Sequence, residues 1–170
     1  MKVCRGSLAL KICTAAVMWM LIPSCYGQWE RPSISMAPQQ GTALEISSDH
    51  FVQPKELNDL LLDKALAHPL VLQIGSHVLF AEAHIPASEY AGPAGQPDGL
   101  TILRKRIKAL PRNTFLVLYC GCCPWNHCPN IEPAYKEAIA MGFSNVKVLY
   151  LPDNFGANWV AKGYAVEKGR

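Results

Sequence analysis

Spacing of the apolar positions divides the chain into an irregular lead-in and a regular remainder. Residues 28–48 are rich in Pro, Ser, Gln and Gly and carry no sustained period, which predicts an extended linker. From Pro54 the stretch PKELNDLLLDKALA sets Leu57, Leu60, Leu61 and Ala65 on one face, the spacing of an amphipathic helix opened by proline. Leu70 to Ile74 is a short apolar run between Pro69 and Gly75 and predicts a buried strand. A loop carrying His84, Pro86, Pro93, Gly95 and Pro97 follows. Leu100, Leu103, Ile107 and Leu110 then mark a second helix, stopped at Pro111. FLVLY, residues 115–119, is the clearest strand. Asn130 is placed to cap a third helix whose apolar face is Ile131, Tyr135, Ala138 and Met141, with Pro133 in its first turn and Gly142 as its stop. Val146 to Leu151 is a further apolar run. Strands alternating with helices predict an α/β domain over residues 49–170, with a mainly parallel sheet and helices on its faces.

Composition supports one globular domain. The chain has 170 residues, half of them hydrophobic and 17% charged, which excludes a disordered or fibrous polymer. The formal charge of +3 changes meaning once its location is considered. Residues 1–27 hold Lys2, Arg5 and Lys11, no acidic residue, and a short apolar run from Ile12 to Ile22 followed by Pro23 and small residues. That order reads as a secretory signal peptide, the run being short of the roughly 20 apolar residues a spanning helix needs. Cleavage after Gly27 would leave a soluble, exported domain, periplasmic in a bacterium. The alternative is a lipoprotein box, Leu21-Ile22-Pro23-Ser24-Cys25, anchored through Cys25, into which Pro23 fits poorly. Without the three leader cations the 16 basic and 13 acidic residues become 13 against 13, so charge offers nothing to a nucleic acid. The basic face of the second helix, Arg104, Lys105, Arg106 and Lys108, reads as a solvated surface rather than an anion dock.

Cysteine is the unusual residue. Seven are present; Cys4, Cys13 and Cys25 fall in the leader, and Cys120, Cys122, Cys123 and Cys128 fall in one loop. A disulfide scaffold distributes its cysteines along the chain, so this pattern predicts a local thiol site instead. Cys120 ends the FLVLY strand and begins the loop GCCPWNHCPN, which feeds a helix. In a parallel sheet that is where ligands bind, and amides at a helix start favour a thiolate, the nucleophilic form of cysteine.

Four segments together resemble the rhodanese-like family over roughly residues 50–167. LVLQIGSHVLFAEAHIPAS looks like its strand followed by a His-Ile-Pro turn, at His84, Ile85 and Pro86. LVLYC looks like the strand that delivers its catalytic cysteine, at Cys120. EAIAMGFSNVKVLYL looks like the next helix, Gly-Phe turn and strand. NFGANWVAKGYAVE looks like its C-terminal signature, around Phe155, Trp159, Gly163 and Tyr164. The resemblance implies a rhodanese-like parallel sheet flanked by helices, and sulfur transfer through a persulfide on Cys120. It implies a pocket formed by the loop residues Gly121, Cys122, Cys123, Trp125, Asn126, His127 and Cys128. The partners it implies are a small sulfur-donor anion and a thiol acceptor, with no cofactor. The chain departs from the family pattern at Gln73, Ile74 and Gly75, where Asp-Val-Arg is common, and at Pro152-Asp153-Asn154, where Gly-Gly is common. Its active loop is also longer and lacks arginine, leaving His127 as the one potential cation, so an oxyanion donor would meet few positive groups.

The three additional loop thiols allow other readings. Cys120 and Cys123 form a CxxC pair, and a second cysteine could resolve a Cys120 persulfide as a disulfide. Cys122 and Cys123 are adjacent and would bond to each other only with strain, which makes Cys128 the better partner for one of them. Zinc or copper(I) could bind the four thiols and His127, but the second ligand pair of a zinc ribbon or finger is missing, so no metal is expected. A non-catalytic binding module on the same fold is the remaining alternative. His84 reads as a structural turn residue and not a general base, Trp125 as a pocket wall or a surface cover, and Trp159 and Phe155 as core. No nucleotide loop, His-Glu-x-x-His or Gly-x-Ser-x-Gly is present.

Overall fold

The computed structural model describes residues 46–169. The expected signal peptide, the lipoprotein alternative at Cys25 and most of the expected linker lie outside the described residues.

Five parallel strands form the sheet: β1 (Phe51–Val52), β2 (Leu70–Gln73), β3 (Glu89–Tyr90), β4 (Leu116–Tyr119) and β5 (Val146–Leu149), in the order β1-β5-β4-β2-β3. β4 lies at the centre, with Leu70 opposite Leu116 on one side and Leu118 opposite Val148 on the other. All four of its residues are buried, each buried aliphatic side chain contributing about 1.5–3 kcal/mol. Because successive side chains point to opposite faces, Leu116, Leu118 and Cys120 pack in one core, with α3 (Pro97–Ile107) and α4 (Ile131–Ala140). Val117 and Tyr119 pack in the other, with Leu57 of α1 (Pro54–Leu62) and with Phe155 and Trp159 at α5 (Phe155–Asn158). Phe155 and Trp159 are core residues, as expected. Ile46 is buried in the α3/α4 core. Among the described residues no helix is long and apolar enough to cross a membrane.

Three local readings change. α1 stops at Leu62 rather than running on to Ala67. Asp63 ends it by accepting a hydrogen bond from the Ala65 N–H at 2.9 Å, a local bond that competes with the helix, and Ala65 and Leu66 are left exposed. The stretch expected to be loop after β2 contains a short helix, α2 (His77–Glu82), and the two-residue strand β3. The basic face of α3 is not simply solvated. Arg104 forms a two-point ion pair with Glu137 of α4 at 2.6 and 2.8 Å, and Arg106 holds Glu89 of β3 in the same manner. These planar forks attach α3 to its neighbours on both sides.

His84 is structural. Its Nδ1 hydrogen-bonds the Phe80 carbonyl at 2.8 Å, its ring stacks on Phe80, and its backbone forms an antiparallel bridge with Glu167.

Candidate functional site: a thiol cluster at the end of the central strand

Cys120 follows β4 directly, and its residue is only 4% exposed. Gly121 turns the chain with φ +79°, a conformation glycine adopts without strain; a Cβ here would lie 2.8 Å from that of Phe155. The Phe155 N–H donates to the Gly121 carbonyl at 3.0 Å, fastening the loop to α5. A single 3-10 turn over Trp125–His127 then folds the loop back, so that Cys128 returns beside Cys120.

The result is a compact group of sulfurs. Those of Cys120, Cys122, Cys123 and Cys128 all lie within 4.8 Å of one another, and all four residues are free thiols. Cys120 and Cys122 are 3.1 Å apart, as are Cys122 and Cys123. Cys120 and Cys128 are buried, whereas Cys122 is exposed. The thiol of the CxxC partner Cys123 donates to the His127 carbonyl at 3.7 Å.

Asn130 is the residue whose role differs most from its expected one. It stands at the cap position of α4, but its side chain makes no capping bond. Its Oδ1 accepts from the Gly95 N–H at 2.8 Å, and its Nδ2 donates to the Cys120 sulfur at 3.2 Å. The Gly95 amide thus fixes which end of the carboxamide faces the sulfur. Hydrogen bonding at Cys120, first from the Cys128 thiol and then from the Cys122 backbone and thiol and from Asn130, lowers its pKa to about 6 against the opposing effect of burial. The same bonds hold protons on the neighbours. Burial and donation to Cys120 push Cys122 up, and donation to Cys120 followed by burial pushes Cys128 up. The lowered Cys120 is thus held by Cys122 and Cys128 thiols that are themselves pushed toward the protonated form.

The end of β2 supports this arrangement. Gln73 is buried and donates from Nε2 to the Cys120 carbonyl at 3.2 Å and to the Ser76 carbonyl at 3.4 Å. Its Oε1 accepts from the Gly75 N–H at 3.1 Å. A Cβ on Gly75 would stand 2.9 Å from the Cys120 sulfur, so only glycine allows the sulfur this position without a shift.

A cavity of about 290 Å³ opens beside Cys120. Its walls are Gly121 and Cys122, Leu79 and Glu82 of α2, and Phe155 and Val160 from the C-terminal part. Among the described residues no lysine or arginine lines it, and Glu82 is its charged side chain. Of the loop residues, Gly121 and Cys122 line this cavity. Trp125 instead packs edge-on against Phe51 with ring centroids 4.6 Å apart, and it also meets Tyr150. His127 is exposed and bonds through Nδ1 to the Asn126 Oδ1 at 2.8 Å, so it adds no charge to the cavity.

Sequence reasoning passed over Asn130, Gln73 and Gly75 as site residues. The last two were visible only as departures from the family pattern, and Asn130 only as a helix cap. The α2 wall lacked a signal, because a six-residue helix with one buried side chain has almost no periodicity to detect.

No family model and no curated protein matches the chain. Solved structures do match its fold. A protein from Bacillus halodurans superposes with a TM-score of 0.55 at 18% identity, over 70% of this chain and 77% of that one. The rhodanese-like domain of an Anabaena protein does so with 0.51 at 16%, over 70% and 79%. A thiosulfate sulfurtransferase from Pseudomonas aeruginosa gives 0.52 at 22%, over 70% of this chain and 19% of that longer one. The all-parallel five-stranded sheet flanked by helices is the rhodanese-like α/β fold.

Proposed function

We propose that the domain is a sulfurtransferase that carries a sulfane sulfur as a persulfide on Cys120. The observation that carries this reading is the state of Cys120: a buried thiol at a cavity, lowered to about 6 and held by the amide of Asn130. In the first step the Cys120 thiolate attacks the sulfane sulfur of the donor. A sulfur–sulfur bond forms to Cys120, and the remainder of the donor leaves with the electron pair of the broken bond. In the second step an acceptor thiolate attacks the outer sulfur, and Cys120 leaves as the thiolate. Absence of a cavity cation, with Glu82 on the wall, favours thiol persulfides over thiosulfate as donors, because an oxyanion would have no positive partner. Export by residues 1–27 belongs to the same proposal.

The test is a sulfur-transfer assay with a thiol persulfide and with thiosulfate, comparing the protein with Cys120→Ser. Transfer from the persulfide, lost in the variant, is expected. Transfer that survives the substitution would place the nucleophile elsewhere.

A relay reading has its own support in the 3.1 Å separation of the Cys120 and Cys122 sulfurs. Here the Cys122 sulfur attacks the inner sulfur of the Cys120 persulfide anion and gives its proton to the departing outer sulfur. A Cys120–Cys122 disulfide forms, and hydrosulfide departs with the electron pair. Non-reducing mass mapping after turnover without acceptor should find that disulfide; four free thiols would exclude the relay.

A further inference from the structure

The three loop thiols beyond Cys120 are more than either reading requires. The sequence shows no second ligand pair of the kind a zinc ribbon or finger carries. The fold removes that need, since one 3-10 turn brings Cys128 back and gathers all four sulfurs within 4.8 Å. In a tetrahedral zinc–thiolate site, with Zn–S bonds of about 2.3 Å, the sulfurs are about 3.8 Å apart. The separations here, from 3.1 Å to at most 4.8 Å, span that value, so closure needs only small side-chain movements.

What surrounds the cluster also suits a bound cation. Four thiolates together need compensating charge, and neither the cavity walls nor the loop supplies a lysine or arginine. Donors that would stabilise ligand thiolates are nevertheless in place. The Asn130 Nδ2 and the Cys122 backbone N–H address Cys120, and the N–H groups of Asn130 and Ile131 address Cys128. Such outer hydrogen bonds are the usual companions of metal-bound sulfur. Access is open on one side, through the exposed Cys122.

We propose that Cys120, Cys122, Cys123 and Cys128 form a mononuclear site for a thiophilic closed-shell cation, zinc(II) or copper(I). Each ligand that begins as a thiol gives its proton to solvent as its metal–sulfur bond forms, and no electrons are transferred. The bound ion occupies Cys120, so the loaded protein is closed to electrophiles and to sulfur donors. The site uses the same cysteines as the sulfurtransferase reading but does not depend on it.

The experiment uses the full chain, reduced and metal-free under anaerobic conditions. Zinc(II) and copper(I) are titrated separately against a competing chromophoric chelator, and cobalt(II) serves as a spectroscopic probe. One ion per chain is expected, together with sulfur-to-cobalt charge-transfer bands, tetrahedral visible bands and protection of Cys120 from alkylation. Cys122→Ser and Cys128→Ser should each weaken binding by more than about tenfold, and Asn130→Ala by about tenfold through the lost outer hydrogen bond. Cys122 is exposed, so its variant remains informative if Cys128→Ser fails to fold. Comparable loss in all four serine variants supports the four-thiolate site; binding undiminished by Cys123→Ser overturns Cys123 as a ligand. Substoichiometric binding of both ions, or binding undiminished by Cys122→Ser, overturns the proposal. Sulfur transfer is assayed on the metal-free protein in parallel, so failure of one reading is separable from failure of the other.

Discussion

The adjacent strands β2 and β4 end side by side, with Gln73 opposite Tyr119, yet their ends do opposite things. Beyond β4 the chain places four sulfurs in one small volume. The end of β2 sets against them the amide of Gln73, which holds the Cys120 carbonyl, and Gly75 just beyond leaves room for the sulfur. The strand end is therefore a location, and chemistry appears there only when one end supplies the reactive atom and its neighbour supplies space and orientation. Neither Gln73 nor Gly75 carries a charge, so this end contributes shape and hydrogen bonds.

Substitutions on the two ends should separate these contributions. The largest effect is expected for Cys120→Ser, which should abolish the proposed sulfur transfer and removes the thiol whose pKa is lowered. In the unsubstituted protein, iodoacetamide modification of Cys120 should rise with pH through about 6, because a lowered pKa makes the thiolate dominant above that value and loses it below. The variant should lack that step, and a step persisting near 6 would assign the thiolate to another cysteine. Gln73→Leu attacks the opposite end. It leaves the buried Cys120 carbonyl and the Gly75 N–H without a partner and should cost about 1–3 kcal/mol in denaturant unfolding. Unchanged stability would mean that β2 contributes no support. Asn130→Ala should move the alkylation midpoint upward, since a donor to the thiolate is lost, with Cys128 and Cys122 retaining part of the effect. A midpoint that stays in place would remove Asn130 from the site. The smallest effect belongs to His127→Ala. That ring is exposed and turned toward Asn126, so transfer rate and alkylation midpoint should both remain as they are.

Regular parts of the fold were legible where burial imposes a period. β4, β2 and the apolar faces of α3 and α4 follow directly from it, and so does the parallel sheet. α2 and β3 were not, because six and two residues are too few to carry a period, and their place is set by tertiary contacts. The end of α1 was missed for a different reason: Ala65 continues the apolar pattern, but a single Asp63 side-chain bond to its N–H outcompetes the helix. At the site, the position of Cys120 could be read from strand and turn chemistry. Asn130 could not, since asparagine before a helix has an ordinary use as a cap, and only the Gly95 N–H, 35 residues away in sequence, redirects it. The compactness of the four sulfurs depends in the same way on the 3-10 turn, for which the residues Pro124 to His127 offer no distinctive period.

The central place of β4 has a consequence for motion. It is paired along both edges, and its four side chains are buried on both faces, so its amides should exchange with solvent only through opening of the whole sheet. Cys120 is attached directly to that strand. The Cys120 sulfur is thus anchored to the slowest-opening part of the domain, while Cys122 lies on the exposed side of the loop. On heating, Cys120 should keep its place until the sheet itself melts, and partial unfolding elsewhere should alter what reaches its sulfur before it alters the sulfur.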